Sequence, residues 1–460
     1  MKTAWEKYTE EEKTQVFAFA EEYKAFISEC KTERECVRKA VEILKAHGYR
    51  DLAEYEKSGE TLCAGDKVYA NNRGKSLCAF VIGEKPFKEG IRLLGAHIDS
   101  PRLDLKQHPL YEDGGLLLGK THYYGGIKKY QWLSIPMALH GVVCKKDGTV
   151  IPVSIGEDPN DPVVGITDLL VHLAKEQLEK TVRNTVEGEQ LNITLGSIPL
   201  CTEDDSETDR VKKNILKILK ERYDFEEEDF ISAELEVVPA GPARDYGLDR
   251  SMIMGYGHDD RVCGYTSLMA LAKTERPDRT AGIILVDKEE IGSYGSTSMH
   301  SRFLEGVLVT MMHLSGGFSE YELRQMYAHS DMLSNDVSAG YDPNFSSVMD
   351  KNNCAYLGRG MSMVKYNGSG GKYHCNDANA EMIARVRNLL DEENIQFQTA
   401  ELGKVDAGGG GTIAYILAND NMNVLDTGVP VLGMHAPHEV ASKADIYEAY
   451  RAYRAFLKKI

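Results

Sequence analysis

Five segments of the chain place acids or histidines where an apolar run ends or a helical pattern begins, and metal binding is the chemistry they could share. The first is Leu93-Leu94-Gly95-Ala96-His97-Ile98-Asp99-Ser100. A period of two puts His97 and Asp99 on one face of an extended chain. Asp99 could then orient the imidazole, as carboxylates orient metal-ligating histidines; an ordinary surface strand is the plainer reading. The second, Gly257-His258-Asp259-Asp260-Arg261, opens a helical stretch, where Asp also serves as an N-cap. The third runs from Ile283 through Asp287-Lys288-Glu289-Glu290 to Gly292. Glu-Glu pairs recur at 11–12, 21–22 and 392–393 in solvated helical patterns, but Glu289-Glu290 follows a buried strand pattern and precedes a glycine-rich turn. Adjacent carboxylates there repel unless cations or protons compensate. The fourth is Leu333-Ser334-Asn335-Asp336-Val337, followed by Tyr341-Asp342-Pro343-Asn344, and the fifth is Val431-Leu432-Gly433-Met434-His435-Ala436-Pro437-His438. Singly, each is better explained by structure. Together they supply three carboxylates, two histidines and a spare glutamate, a thiolate-free set suited to two Zn²⁺, Mn²⁺ or Co²⁺ ions.

Such segments need a scaffold that gathers strand ends. Ser76 to Val81, Ile91 to His97 and Ala281 to Val286 have the apolar, breaker-bounded pattern of strands. The first 60 residues are helical in pattern: Thr32 and Glu35 have capping-box spacing, and Val37, Val41, Ile43 and Leu44 form a stripe that stops near Gly48. Helices are also predicted over Ala380 to Leu390 and Ser442 to Leu457, the latter with a Ser442/Asp445 capping-box start. Residues 107–252 differ in texture, with amphipathic helical stretches around Ile166 to Leu178 and Val211 to Ile218, β-like alternation over Phe230 to Val238, and an acidic segment from Glu203 to Asp209. The expectation is an α/β catalytic domain, residues 1–106 and 253–460, interrupted by an inserted β-rich domain, residues 107–252. Strands alternating with helices favour a mostly parallel central sheet flanked by helices, with ligands at the carboxyl ends of its strands.

Composition narrows the partners. The 460 residues are 42% hydrophobic and 27% charged, a globular balance with enough apolar side chains for a core. A net charge of −17 repels phosphate backbones and argues against nucleic acid. The longest apolar runs, such as Ile283 to Val286, fall far short of the roughly 20 residues of a membrane helix. Nine dispersed cysteines without a C-x-x-C pair suit reduced thiols better than disulfides or a thiolate zinc site, and Met1 to Lys7 has no apolar signal core, so a cytoplasmic protein is expected. Tyr366 to Tyr373 fails as a P-loop because its first glycine is misplaced and Tyr373 stands where Ser or Thr is needed. The run Gly408 to Gly411 fits either a turn entering a helix at Thr412 or close backbone approach to a substrate.

The order H-x-D, D-D, E-E, a later Asp and a terminal Met434-His435 resembles the aspartyl aminopeptidase family of dinuclear metallo-aminopeptidases, in a bacterial-type form. Ser100-Pro101, Lys365-Tyr366-Asn367, Tyr373 and Gly408 to Ile413 support the resemblance over nearly the whole chain. It implies that His97 and Asp336 hold one metal ion, Glu290 and His435 the other, and that Asp259 bridges them. Two dications about 3.5–4 Å apart repel by roughly 18 kcal/mol at an effective dielectric near 20. The charges on Asp259, Asp336 and Glu290, with a bridging hydroxide, would offset them. Glu289 is implied as the general base and Asp99 as the residue orienting His97. Lys365, Tyr373 and His172 are the implied substrate-binding residues, Lys365 matching the lysine that favours an acidic side chain and His172 a histidine that reaches a neighbouring subunit. The implied activity is removal of N-terminal residues, possibly Asp or Glu, from peptides with two divalent ions per subunit, zinc first and cobalt or manganese as alternatives. The implied assembly is dimers through the insert and a tetrahedral dodecamer. The rival readings are a related dinuclear carboxypeptidase or deacylase, and a catalytically inactive assembly subunit.

Overall fold

The structure is a computed structural model that describes residues 2–201 and 207–460; residues 203–206 of the predicted acidic segment lie outside the described residues. The chain forms two compact units. The first contains Met1–Asp99, Ala243–Met434 and Glu439–Ile460, and the second Ser100–Pro242 with His435–His438.

A nine-stranded sheet organises the first unit, in the spatial order Arg50–Asp51, Lys67–Asn72, Ser76–Val81, Ala281–Val286, Arg92–His97, Asp331–Asn335, Asn423–Gly428, Met361–Val364 and Phe397–Thr399. Its middle four strands, Ala281–Val286 to Asn423–Gly428, run parallel. The expected mostly parallel sheet is therefore only partly realised, and the sheet is mixed. Lys67–Asn72 and Ser76–Val81 are antiparallel because a three-residue turn joins them, too short for the crossover that parallel pairing needs. Ser76–Val81 also pairs antiparallel with Ala281–Val286, and Met361–Val364 with Asn423–Gly428.

Strand alternation explains why these segments are unbroken apolar runs. Leu94, Ala96, Ile283, Leu285, Leu333 and Leu425 pack into one core with helices Glu10–Glu29, Glu33–Ala46, His258–Ala272 and Lys443–Lys459. Their neighbours Leu93, Ile284, Val286, Met332 and Val424 face the opposite core, beneath Phe303–Leu314, Glu320–His329 and Ala414–Asn419. Both faces are covered, so neither can be polar. Thr32 and Glu35 form the predicted capping box. Ser442 occupies its predicted N-cap position, but its side chain makes no cap. Asp445 instead accepts the Gly358 and Gly360 amides at 2.7 and 2.6 Å.

The second unit is an antiparallel six-stranded sheet, Val150–Ile155, Met137–Cys144, Ala233–Pro239, Arg102–Asp113, Leu116–Tyr124 and Ile193–Gly196. Helix Arg210–Tyr223 accompanies a core of Val143, Val153, Phe225, Phe230 and Leu235. The stretch predicted as a helix around Ile166 to Leu178 is instead a 3₁₀ turn, Val171–Leu173, and a five-residue helix, Lys175–Glu179, without a side-chain cap. Its apolar residues Leu169, Leu170, Val171, Leu173 and Leu178 are exposed, and an amphipathic stripe without a packing partner does not sustain a helix. Phe230 likewise lies within a 3₁₀ segment, Glu227–Ser232, with the strand beginning at Ala233. Among the described residues no helix is long and apolar enough to cross a membrane.

Candidate metal centre

Three parallel strands of the first unit deliver the central residues at or just beyond their carboxyl ends. Arg92–His97 ends on His97, Ala281–Val286 leads into Glu289–Ile291, and Asp331–Asn335 precedes Asp336. Asp259 comes from the start of His258–Ala272, and its amide donates to Glu439 Oε2 at 3.0 Å. Glycine is required at 428, where a Cβ would lie 1.6 Å from Asp336 O.

His97 is 1% exposed, and its Nδ1 donates to the backbone oxygen of Asp99 at 3.0 Å. Its Nε2 faces Asp259 Oδ1 at 3.2 Å, Asp336 Oδ1 at 3.7 Å and Glu289 Oε2 at 3.9 Å. Nδ1 bonded to a carbonyl leaves the Nε2 lone pair as the ligand. The Asp99 carboxylate lies 3.4 Å from His97 Nδ1 and also accepts the Glu289 amide at 3.1 Å and the Glu290 amide at 3.2 Å. Asp99 thus grips the turn that carries both glutamates. Asp287 braces the same turn from behind, accepting from Thr297 Oγ1 at 2.6 Å and Lys288 Nζ at 3.0 Å.

His97, Asp259 and Asp336, all in the first unit, each offer one ligand atom within 4.8 Å of the others. His435 Nδ1 bonds Gly126 O at 3.0 Å, which again leaves Nε2 as the donor atom. The electrostatics fit cations. Burial, reinforced by repulsion from Asp336, Asp99 and Asp259, pushes the Glu289 carboxyl up to about 8 despite the opposing pull of His97. Burial also raises Asp336, with Asp259 adding repulsion. Burial disfavours charge on His97, yet hydrogen bonds to Asp259, Asp336 and Asp99 outweigh it and hold its pKa well above the usual value. Acids that protonate and an imidazole that charges when no cation is present are what a carboxylate-rich metal centre produces.

The remaining predicted residues lie further out. Lys365 is exposed just after Met361–Val364, and Tyr373 is also exposed. His172 is exposed in the Val171–Leu173 turn of the second unit. His258 is buried between Tyr23 Oη at 2.7 Å and Ile253 O at 3.1 Å; burial lowers its pKa to about 4. Sequence patterns singled out neither Asp287 nor Asp426. Asp426 is buried one strand from Ser334, and its signal was an acid closing the apolar pair Val424-Leu425.

The fold and the acid–imidazole cluster define an α/β protein with a candidate metal centre at the carboxyl ends of its parallel strands. A sequence model of the aminopeptidase I zinc metalloprotease (M18) family matches residues 26–457. A probable M18 family aminopeptidase 1 of Clostridium acetobutylicum is 58% identical over 456 residues, covering 99% of this chain and 98% of that protein. Its counterpart from Thermotoga maritima is 47% identical, with 97% of each chain covered. The crystal structure of the M18 aminopeptidase from Thermotoga maritima superimposes with a TM-score of 0.94 at 46% identity, over 100% of this chain and 99% of that one. The chain belongs to the M18 aminopeptidase I zinc metalloprotease family.

Proposed function

We propose that the protein is a metal-dependent aminopeptidase that hydrolyses the first peptide bond of peptides with a free N-terminus, with a preference for acidic N-terminal residues. His97 and Asp336 would hold one ion, Glu290 and His435 a second, and Asp259 both. Divalent ions bound there supply Lewis-acid polarisation and lower the pKa of nearby water. Glu289 takes the proton of the attacking water and returns it to the departing amine, so the group ends in its starting state. Asp99 holds the Glu289 and Glu290 amides and so fixes the base relative to a ligand. Lys365 would pair with an acidic side chain of the substrate.

The observation that carries this reading is the placement of Glu289, 3.9 Å from His97 Nε2, beside the His97–Asp259–Asp336 cluster and partly buried. A base confined next to the ligands is in reach of water there. The second unit is assigned to self-association, towards dimers and a dodecamer. Support comes from its exposed apolar side chains, among them Leu170, Val171, Leu173, Leu178, Val182 and Ile198. Nine free cysteines, five of them buried, accord with a cytoplasmic setting.

The test compares zinc-loaded protein on aminoacyl-p-nitroanilides with free and N-acetylated amines. Hydrolysis of the free-amine substrates alone, abolished by chelation, is expected, with glutamyl and aspartyl substrates fastest. Equal rates on both forms would overturn the aminopeptidase assignment in favour of a deacylase or an endopeptidase.

A further inference from the structure

Two glycine-rich stretches, Gly368 to Gly371 and Gly408 to Gly411, interlock within the first unit. The Gly368 amide donates to Gly410 O at 2.7 Å. Gly409 has a φ of +148°, and a Cβ there would meet Gly368 O at 2.1 Å and Ser369 Cα at 2.8 Å. Backbone lies directly on backbone, so no side chain fits between the loops.

Both loops are rooted on the strand Asn423–Gly428. Thr412, the residue after the second glycine run, donates its hydroxyl to Asp426 Oδ1 at 2.6 Å. From the first loop, Asn376 Nδ2 donates to Val424 O at 2.6 Å. Asp426 is 2% exposed and pairs in register with Ser334, two residues before Asp336. Burial pushes its carboxyl up to about 7, against the opposing pull of the Thr412 hydroxyl. The clasp borders the metal centre: the Asp336 amide donates at 2.9 Å to the backbone oxygen of Thr427, the residue after Asp426. A buried acid with a short hydrogen bond to one loop and a second loop folded onto the first does more than fill space.

We propose that Asp426 is a positioning residue that, through Thr412, locks the two glycine-rich loops into one rigid wall of the substrate site beside Asp336. The role of that wall in binding rests on the aminopeptidase reading; the locking does not. Loss of the Thr412 hydroxyl should loosen the second loop and, through the Gly368–Gly410 bond, the first with it.

The experiment uses zinc-loaded protein with Thr412→Val, Thr412→Ser and Asp426→Asn. Thr412→Val keeps shape and removes the hydroxyl, so it remains informative where a change at buried Asp426 prevents folding. Segment-resolved hydrogen exchange should speed up about tenfold over residues 366–377 and 404–412 together, the loss expected for one buried hydrogen bond. KM for a free-amine aminoacyl-p-nitroanilide should rise by a similar factor, with kcat within about twofold, metal content unchanged, and Thr412→Ser restoring the parent values. Faster exchange in 404–412 alone, unchanged KM, or a fall in kcat with lost metal would each overturn the proposal. A parent protein inactive on every free-amine substrate would refute the aminopeptidase reading, while the exchange data would still decide whether the loops are locked.

Discussion

Replacing Asp99 with alanine separates two roles that a carboxylate beside His97 could play. In the structure the Asp99 side chain is fully buried and accepts the Glu289 and Glu290 amides at 3.1 and 3.2 Å. His97 Nδ1 bonds the backbone oxygen of residue 99 at 3.0 Å, a contact that the substitution leaves in place. Asp99→Ala therefore removes the acceptor of two part-buried N–H donors, each costing up to about 1–3 kcal/mol, while His97 keeps its backbone bond. The summed destabilisation is about 2–6 kcal/mol. With an unfolding entropy of about 2.1 cal/mol/K per residue, a chain of 460 residues shifts by about 1 °C per kcal/mol, so a fall in Tm of about 2–6 °C is expected. Asp99→Asn keeps one acceptor and should fall about halfway. Turnover should drop further than stability, because a shift of about 1 Å in Glu289 costs on the order of 100-fold. Differential scanning fluorimetry, metal counting by mass spectrometry and steady-state kinetics on the same preparations provide the readouts. The metal ion assigned to Glu290 should be the one lost. An alanine variant that melts within 1 °C of the parent and retains both turnover and metal content would refute this account of Asp99.

Glu289→Gln should retain its metal and lose turnover by about 10²–10⁴-fold, as expected when a general base is removed; near-parental kcat would exclude Glu289 as the base. His97→Ala should lower bound metal by one ion per chain in mass spectrometry, since Glu290 and His435 stay intact. Asp278 ties to Arg92 Nη1 at 2.6 Å and Lys85 Nζ at 3.0 Å, and although burial pulls the other way these partners depress its pKa. A depressed carboxyl stabilises the fold above its unfolded value, near 3.9, and loses that contribution as pH falls. Asp278→Asn should thus be less stable at pH 7 by up to about 1 kcal/mol, given its partial exposure, and approach the parent near pH 2 in chemical denaturation.

Local signals in the sequence carried much of the architecture. The run Ala281 to Val286 is a strand over those residues because both its faces are covered, and burial on two sides leaves a continuous apolar pattern. Ala380 to Leu390 and Thr32 with Glu35 were legible because helical stripes and caps are local. Strand direction was not: the antiparallel entry of Met361–Val364 beside Asn423–Gly428 depends on a connection across some sixty residues. The Ile166 to Leu178 stripe misled because amphipathicity records a surface to be covered without naming what covers it. Within the site, types and order pointed to His97, Asp259, Glu290, Asp336 and His435 as a group. The grip of Asp99 on two amides, and the brace of Asp287 and Thr297 behind them, arise from hydrogen bonds with no sequence period.

The position of Asn423–Gly428 inside the nine-stranded sheet, between Asp331–Asn335 and Met361–Val364, sets an order on biosynthesis. A nascent chain that has extruded Glu289 from the ribosome still has a gap where that strand belongs. Asp336 cannot be seated until Gly428 packs over its carbonyl. Hydrolytic capacity therefore waits on the arrival of that strand, well after Glu289 has been made.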